Sequence, residues 1–109
     1  MYESIKANQV IDMEIYPTLA DTCAGGVDHD AITLQLCREV IDEMFLLSEA
    51  EIESAIRLIF EQHLLVTEGS AAMSVGLLLK HPEHFKGKKV VLVLCGRNID
   101  LERFKSIIR

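Results

Sequence analysis

The chain contains no tryptophan, only two prolines, and three cysteines that form no CxxC pair. An odd number of thiols at irregular spacing excludes a simple disulfide framework and a zinc knuckle, and implies reduced cysteines in a cytoplasmic protein. No apolar run reaches the roughly 20 residues needed to span a bilayer, so no membrane partner is expected. The opening Met1-Tyr2-Glu3-Ser4-Ile5-Lys6 carries an acid and no apolar core, unlike a secretory peptide. Basic residues are also short. Eleven Lys and Arg against seventeen Asp and Glu leave a net charge of −6, which argues against a nucleic-acid surface. The basic cluster Lys86 to Lys89 is interrupted by Gly87 and reads as a solvated turn. Neither a GxGxxG nor a GxxxxGK[ST] phosphate loop occurs, which removes a small nucleotide-binding domain from contention, and there is no GxSxG elbow.

What is present is a single domain's worth of chain, 109 residues long and half hydrophobic, enough to bury a core. Val10 to Tyr16 reads as an extended segment ended by Pro17, and Gly25-Gly26 as a turn. Asp28 or Asp30 is positioned to cap a helix over 31–41, with Leu36, Val40 and Ile41 inward. Met44 to Leu47 is apolar at every position, the pattern of a parallel strand covered on both faces. Ser48-Glu49-Ala50-Glu51 forms a capping box, and Ile52, Ala55, Ile56, Ile59 and Phe60 then mark a buried helical stripe.

Thr67 is placed to cap a helix from Glu68 to about Lys80, stopped by His81-Pro82. Its first half is crowded with small residues, from Gly69 to Gly76, which implies a close neighbour: another backbone or a ligand. Val90 to Leu94 is the strongest strand signal. It runs into Cys95-Gly96-Arg97-Asn98, and a last helix begins at Asp100 or Leu101 with Leu101, Phe104 and Ile108 on one face. The order implies an α/β fold with parallel strands and covering helices.

In such folds ligands sit beyond the carboxyl ends of the strands, which singles out Cys95 and Gly96. An ordinary strand-helix turn with a buried cysteine explains the same residues. Glu68 at a helix start is favoured by the helix dipole whether or not it meets a ligand. His29, between Asp28 and Asp30, suggests metal, but three consecutive residues do not converge readily on one ion. His63 lies at a helix end, and Pro82 argues against a helical His81/His84 pair. No metal site is expected.

Three ordered stretches carry a further signal: Pro17-Thr18-Leu19-Ala20-Asp21, Leu65-Val66-Thr67-Glu68-Gly69-Ser70-Ala71, and Val91 through Leu101. Together with Cys37 to Asp42 and Ser48 to Ile52, they resemble the fold-type II pyridoxal-phosphate enzymes of the threonine/serine dehydratase group. That group includes threonine ammonia-lyase and serine racemase. Ala24-Gly25-Gly26 is most similar to its hydroxyectoine-utilisation branch. The resemblance covers nearly the whole chain. It implies that residues 1–109 are the C-terminal part of the large, tryptophan synthase beta-like catalytic domain, with Met1 to Ala7 matching an internal stretch. The family's Schiff-base lysine, its Ser-Gly-Asn-His-type segment and its phosphate loop lie upstream and have no counterpart here, so no catalytic residue is assigned.

The resemblance also implies a role for each matched position. Cys95 corresponds to the neutral Ser or Cys that hydrogen-bonds the pyridine nitrogen of pyridoxal phosphate. Gly96 leaves room for the ring, Asn98 fixes the loop, and Glu68 stands close to the cofactor in a supporting role. Two positions depart from the family. Thr22 replaces the glycine of its Ala-Asp-Gly motif, and Arg97 replaces the second glycine of Ser-Gly-Gly-Asn. The implied activity is β-elimination on L-threonine or L-serine, releasing a 2-oxo acid and ammonia. The partners implied are an amino-acid substrate and either further copies of the chain or the lysine-bearing part. The alternative is a non-catalytic interaction module or one half of a split enzyme, since uncovered apolar strands favour association.

Overall fold

The computed structural model describes residues 1–109, which divide into two compact units. The first comprises Met1–Tyr16 and Ala24–Leu46, and the second Pro17–Cys23 and Leu47–Arg109.

The first unit holds two helices, α1 (Tyr2–Ala7) and α2 (Ile32–Val40). Helix α1 ends on Asn8 in the left-handed region at φ 59°, which asparagine tolerates better than most residues. The buried Ser4 hydroxyl accepts from the Ile11 amide at 3.1 Å. Neither Asp28 nor Asp30 caps α2 through its side chain; Ala31 occupies the N-cap. Leu36, Val40 and Ile41 are exposed and not inward as their spacing predicts. No apolar residue of this unit is buried, so the helix has no core to face within it. Val10 to Tyr16 belongs to no helix or strand.

The second unit contains a 3₁₀ turn, Asp21–Cys23, and four helices: α3 (Glu49–His63), α4 (Gly69–Lys80), α5 (Pro82–Phe85) and α6 (Leu101–Ile108). The expected capping box is present. Ser48 Oγ accepts from the Glu51 amide at 3.4 Å, and Glu51 Oε2 accepts from the Ser48 amide at 2.7 Å. Glu51 Oε2 also meets Lys80 Nζ at 3.1 Å, tying the start of α3 to the end of α4. The α3 stripe is buried as its spacing predicts: Ile52, Ala55, Ile56 and Ile59 pack with Ala20, Ala72, Phe104 and Ile107. Phe60 meets Phe104 edge-on, 5.2 Å between ring centres. Arg57 Nε donates to the Ile107 carbonyl at 2.7 Å, satisfying one of the acceptors left open at the end of α6.

Three expectations need correction here. Thr67 does not cap α4; Glu68 occupies that position, and the Thr67 hydroxyl donates to the Gly96 carbonyl at 3.1 Å. On α6 the buried pair is Phe104 and Ile107, while Leu101 is exposed. Leu101 lies on the same stripe but at the first turn, where it stays exposed, while Ile108 is partly buried against the core. Pro82, read as ending α4 and arguing against helix at 81–84, does end α4 but also opens the single turn of α5, where its missing N–H costs nothing.

The strands differ more. Met44 to Leu47 and Val90 to Leu94 form no strand. A strand exists only through hydrogen bonds to a neighbour, and no segment of this chain supplies that ladder. Val91 is accordingly 89 % exposed and Leu46 60 %.

The Ser48 amide, with help from Lys80, holds the Glu51 carboxyl below its ordinary 4.5. A carboxyl depressed in the folded state stabilises above its unfolded value, and that stabilisation is lost as pH falls through the folded one. The urea midpoint of the chain should therefore drop as pH falls from the ordinary carboxyl value of 4.5 through the lower folded one, and Glu51→Gln should flatten that drop. Equal pH slopes for the two proteins would remove Glu51 as the cause.

Candidate functional site

The second unit brings three loops to one carboxylate. Glu68 lies in extended backbone at the N-cap of α4, with its side chain turned away from the helix amides and largely buried. Oε1 accepts from the Thr22 hydroxyl of the 3₁₀ turn at 2.9 Å. Oε2 accepts from the Asn98 amide at 2.9 Å. The Glu68 backbone amide donates to the Gly96 carbonyl at 3.2 Å, and the Thr67 hydroxyl reaches the same oxygen. A Cβ on Gly96 would overlap the Glu68 carboxylate, so residue 96 must be glycine for the carboxylate to pass.

The small residues of α4 have the close neighbour their composition implies, and it is protein. A Cβ on Gly69 would run into the backbone carbonyl of Leu19. A Cβ on Gly76 would meet the Leu47 side chain at 2.8 Å. Residues 17–20 are held there by Glu49, whose carboxylate accepts from the Thr18 hydroxyl at 2.5 Å and the Leu19 amide at 2.7 Å. The Pro17 to Asp21 motif is thereby fastened to the start of α3, which delivers Thr22 to Glu68.

Beside this clamp opens a cleft of about 270 Å³ lined by Leu65, Val66, Thr67, Leu94, Cys95, Gly96 and Arg97. Cys95 is a free, exposed thiol at its edge. The four residues singled out by sequence, Cys95, Gly96, Asn98 and Glu68, are thus brought together. Asn98 takes part through its backbone amide, not its side chain. Thr22 joins them; the sequence marks it as a departure from the glycine of the resemblance but assigns it no place among the site residues. No histidine takes part in the hydrogen bonds that hold Glu68. His29 pairs with Asp12 at 3.6 Å in an exposed position, and no group of three His, Cys, Asp or Glu side chains is arranged to hold a metal.

Residues 1–96 match the family described as pyridoxal-phosphate dependent enzyme. The chain belongs to that family. An L-threonine ammonia-lyase of Thermotoga maritima is 37 % identical over 108 residues, covering 99 % of this chain and 26 % of the relative. A beta-hydroxyaspartate dehydratase of Paracoccus denitrificans is 33 % identical over 102 residues, covering 94 % of this chain and 32 % of the relative. The crystal structure of serine racemase from Dictyostelium discoideum superposes with a TM-score of 0.78 at 27 % identity, over 92 % of this chain and 32 % of that one. The chain therefore spans between a quarter and a third of the length of these family members, and its fold corresponds to part of the racemase.

Gly69→Ala should cost at least about 2 kcal/mol, since the clash is with main chain that cannot step aside. Gly25→Ala, where a Cβ meets open space, should stay within about 0.5 kcal/mol of the parent. Chemical denaturation of both variants measures the difference. Equal midpoints would mean that the Leu19 backbone is free to move off α4.

Proposed function

We propose that this chain forms one wall of the cofactor site of a pyridoxal-phosphate lyase that deaminates L-threonine or L-serine by β-elimination. The observation that carries this reading is the exposed Cys95 thiol at the edge of the cleft, on a loop clamped by Glu68. The names of the relatives, an ammonia-lyase and a dehydratase of hydroxy amino acids, support the reaction class. The family's lysine and phosphate loop lie outside residues 1–109, so turnover requires a lysine-bearing segment as well.

The residues present fit the group in chemistry and in scale. Leu65, Val66 and Leu94 offer apolar surface to a flat ring, while a neutral thiol is suited to meet its nitrogen without the charge of a carboxylate. A cleft of about 270 Å³ is slightly smaller than a complete ligand pocket, as one wall should be. When bound, the cofactor supplies the electron sink for removing the substrate's α-proton. Cys95 would hydrogen-bond the pyridine nitrogen. The absent side chain of Gly96 lets Glu68 reach Asn98, and the carboxylate sets where the Cys95 loop stands.

In the same reading, residues 1–109 belong to one catalytic domain, and Met44 to Leu47 and Val90 to Leu94 become parallel strands once neighbours flank them. Their exposed side chains support this, because strands buried on both faces are apolar throughout. A cytoplasmic location agrees with three free thiols and with the lack of any helix long and apolar enough to cross a membrane.

The exposure of Val91 and Val93 favours a second reading as well: an association module that pairs with further copies or with a separate lysine-bearing polypeptide. One experiment separates them. The chain alone, incubated with pyridoxal phosphate and desalted, should retain no cofactor absorbance. Co-expressed with a lysine-bearing N-terminal segment of the family, it should release 2-oxo acid from threonine or serine. Cys95→Ser should preserve that turnover, and Cys95→Ala should lower it roughly three- to tenfold. A complex that forms yet releases no oxo acid would favour the module. Turnover indifferent to Cys95→Ala would overturn the role given to the thiol.

A further inference from the structure

The 3₁₀ turn places a hydroxyl where the family resemblance calls for a bare glycine, and that hydroxyl is engaged. Thr22 Oγ1 donates to Glu68 Oε1 at 2.9 Å, while Oε2 of the same carboxylate accepts from the Asn98 amide at 2.9 Å. A carboxylate with one oxygen held is still free to swing about its terminal torsion, because rotations of that sp³–sp² type are broad. Holding both oxygens fixes its plane. Nor does the carboxylate have room to relax toward the loop, since Gly96 lies directly against it.

We infer that Thr22 is a positioning residue: acting through Glu68, its hydroxyl fixes the Gly96-to-Asn98 loop and with it the wall that carries Cys95. The departure from glycine therefore adds a second strut to the site. Thr22 is itself exposed, and the motif that carries it is anchored independently by Glu49, so its hydroxyl is not needed to hold the fold. Only in calling this loop a cofactor wall does the inference rest on the proposed function; the clamp itself is a property of the chain without cofactor.

The test is accordingly made on the full chain in the absence of pyridoxal phosphate, by amide hydrogen exchange read residue by residue in NMR spectra. In the parent the Asn98 amide should be protected and its proton shifted downfield, as expected for a donor to a charged oxygen. Thr22→Val removes the hydroxyl at nearly constant shape. It should speed Asn98 exchange about tenfold and move its proton upfield, with the Ile56 and Ile59 amides of α3 unchanged. Thr22→Ser should restore both signals, which a merely space-filling role would not predict. Thr22→Gly, should valine disturb the turn, must reproduce the loss. In a Glu68→Ala background the Thr22→Val change should have no further effect. Asn98 protection unaltered in both hydroxyl-free variants, or not restored by serine, would overturn the inference. Failure of the cofactor reading would leave these exchange rates as they are, so the two outcomes are distinguishable.

Discussion

A carboxylate withdrawn from water loses solvation that only donors can replace. Glu68 sits largely buried between a 3₁₀ turn and the loop after residue 95, and it draws one donor from each. A hydrogen bond to a charged acceptor contributes about 1.5–3 kcal/mol, roughly twice a neutral one. Three segments far apart in sequence therefore converge on one side chain. Gly96 has no side chain because the carboxylate occupies its space, and Gly69 has none because the Leu19 backbone lies over it.

Around this point the second unit is built by ordinary means. Helix α3 starts with a capping box, each partner of which satisfies a backbone amide at the helix start. It buries one stripe of isoleucine and alanine, and α4 and α6 cover that stripe. Small residues let α4 lie close to both α3 and the Leu19-Ala20 backbone. Their cost in helix propensity, about 1 kcal/mol for each glycine, is offset by the packing that a larger side chain would prevent. Precision at the site thus comes from helices that contribute few of its side chains.

The apolar segments 44–47 and 90–94 have the opposite character. Every residue in them suits burial, yet Val91, Val93 and Leu46 face solvent. Such side chains gain about 25 cal/mol per Å² once covered. That gain is the driving force behind both readings, completion of a sheet by a lysine-bearing segment or association with another chain. The two differ in chemistry and share one physical cause.

Local rules were sufficient for α3. The stripe from Ile52 to Phe60 and the Ser48 box depend on neighbours within one or two turns, and both stand as their spacing predicts. Family resemblance, read from ordered motifs, was sufficient for the membership that the match over residues 1–96 bears out. Tertiary structure alone decided the rest. The inward face expected for α2 is exposed, because burial needs an opposing surface that a helical period cannot specify. The strands are absent because a ladder is a relation between two segments, and one segment's sequence does not contain the other. Thr22 joins Glu68 across forty-six positions; a hydroxyl and a carboxylate that far apart carry no mutual signal until folding closes the chain between them.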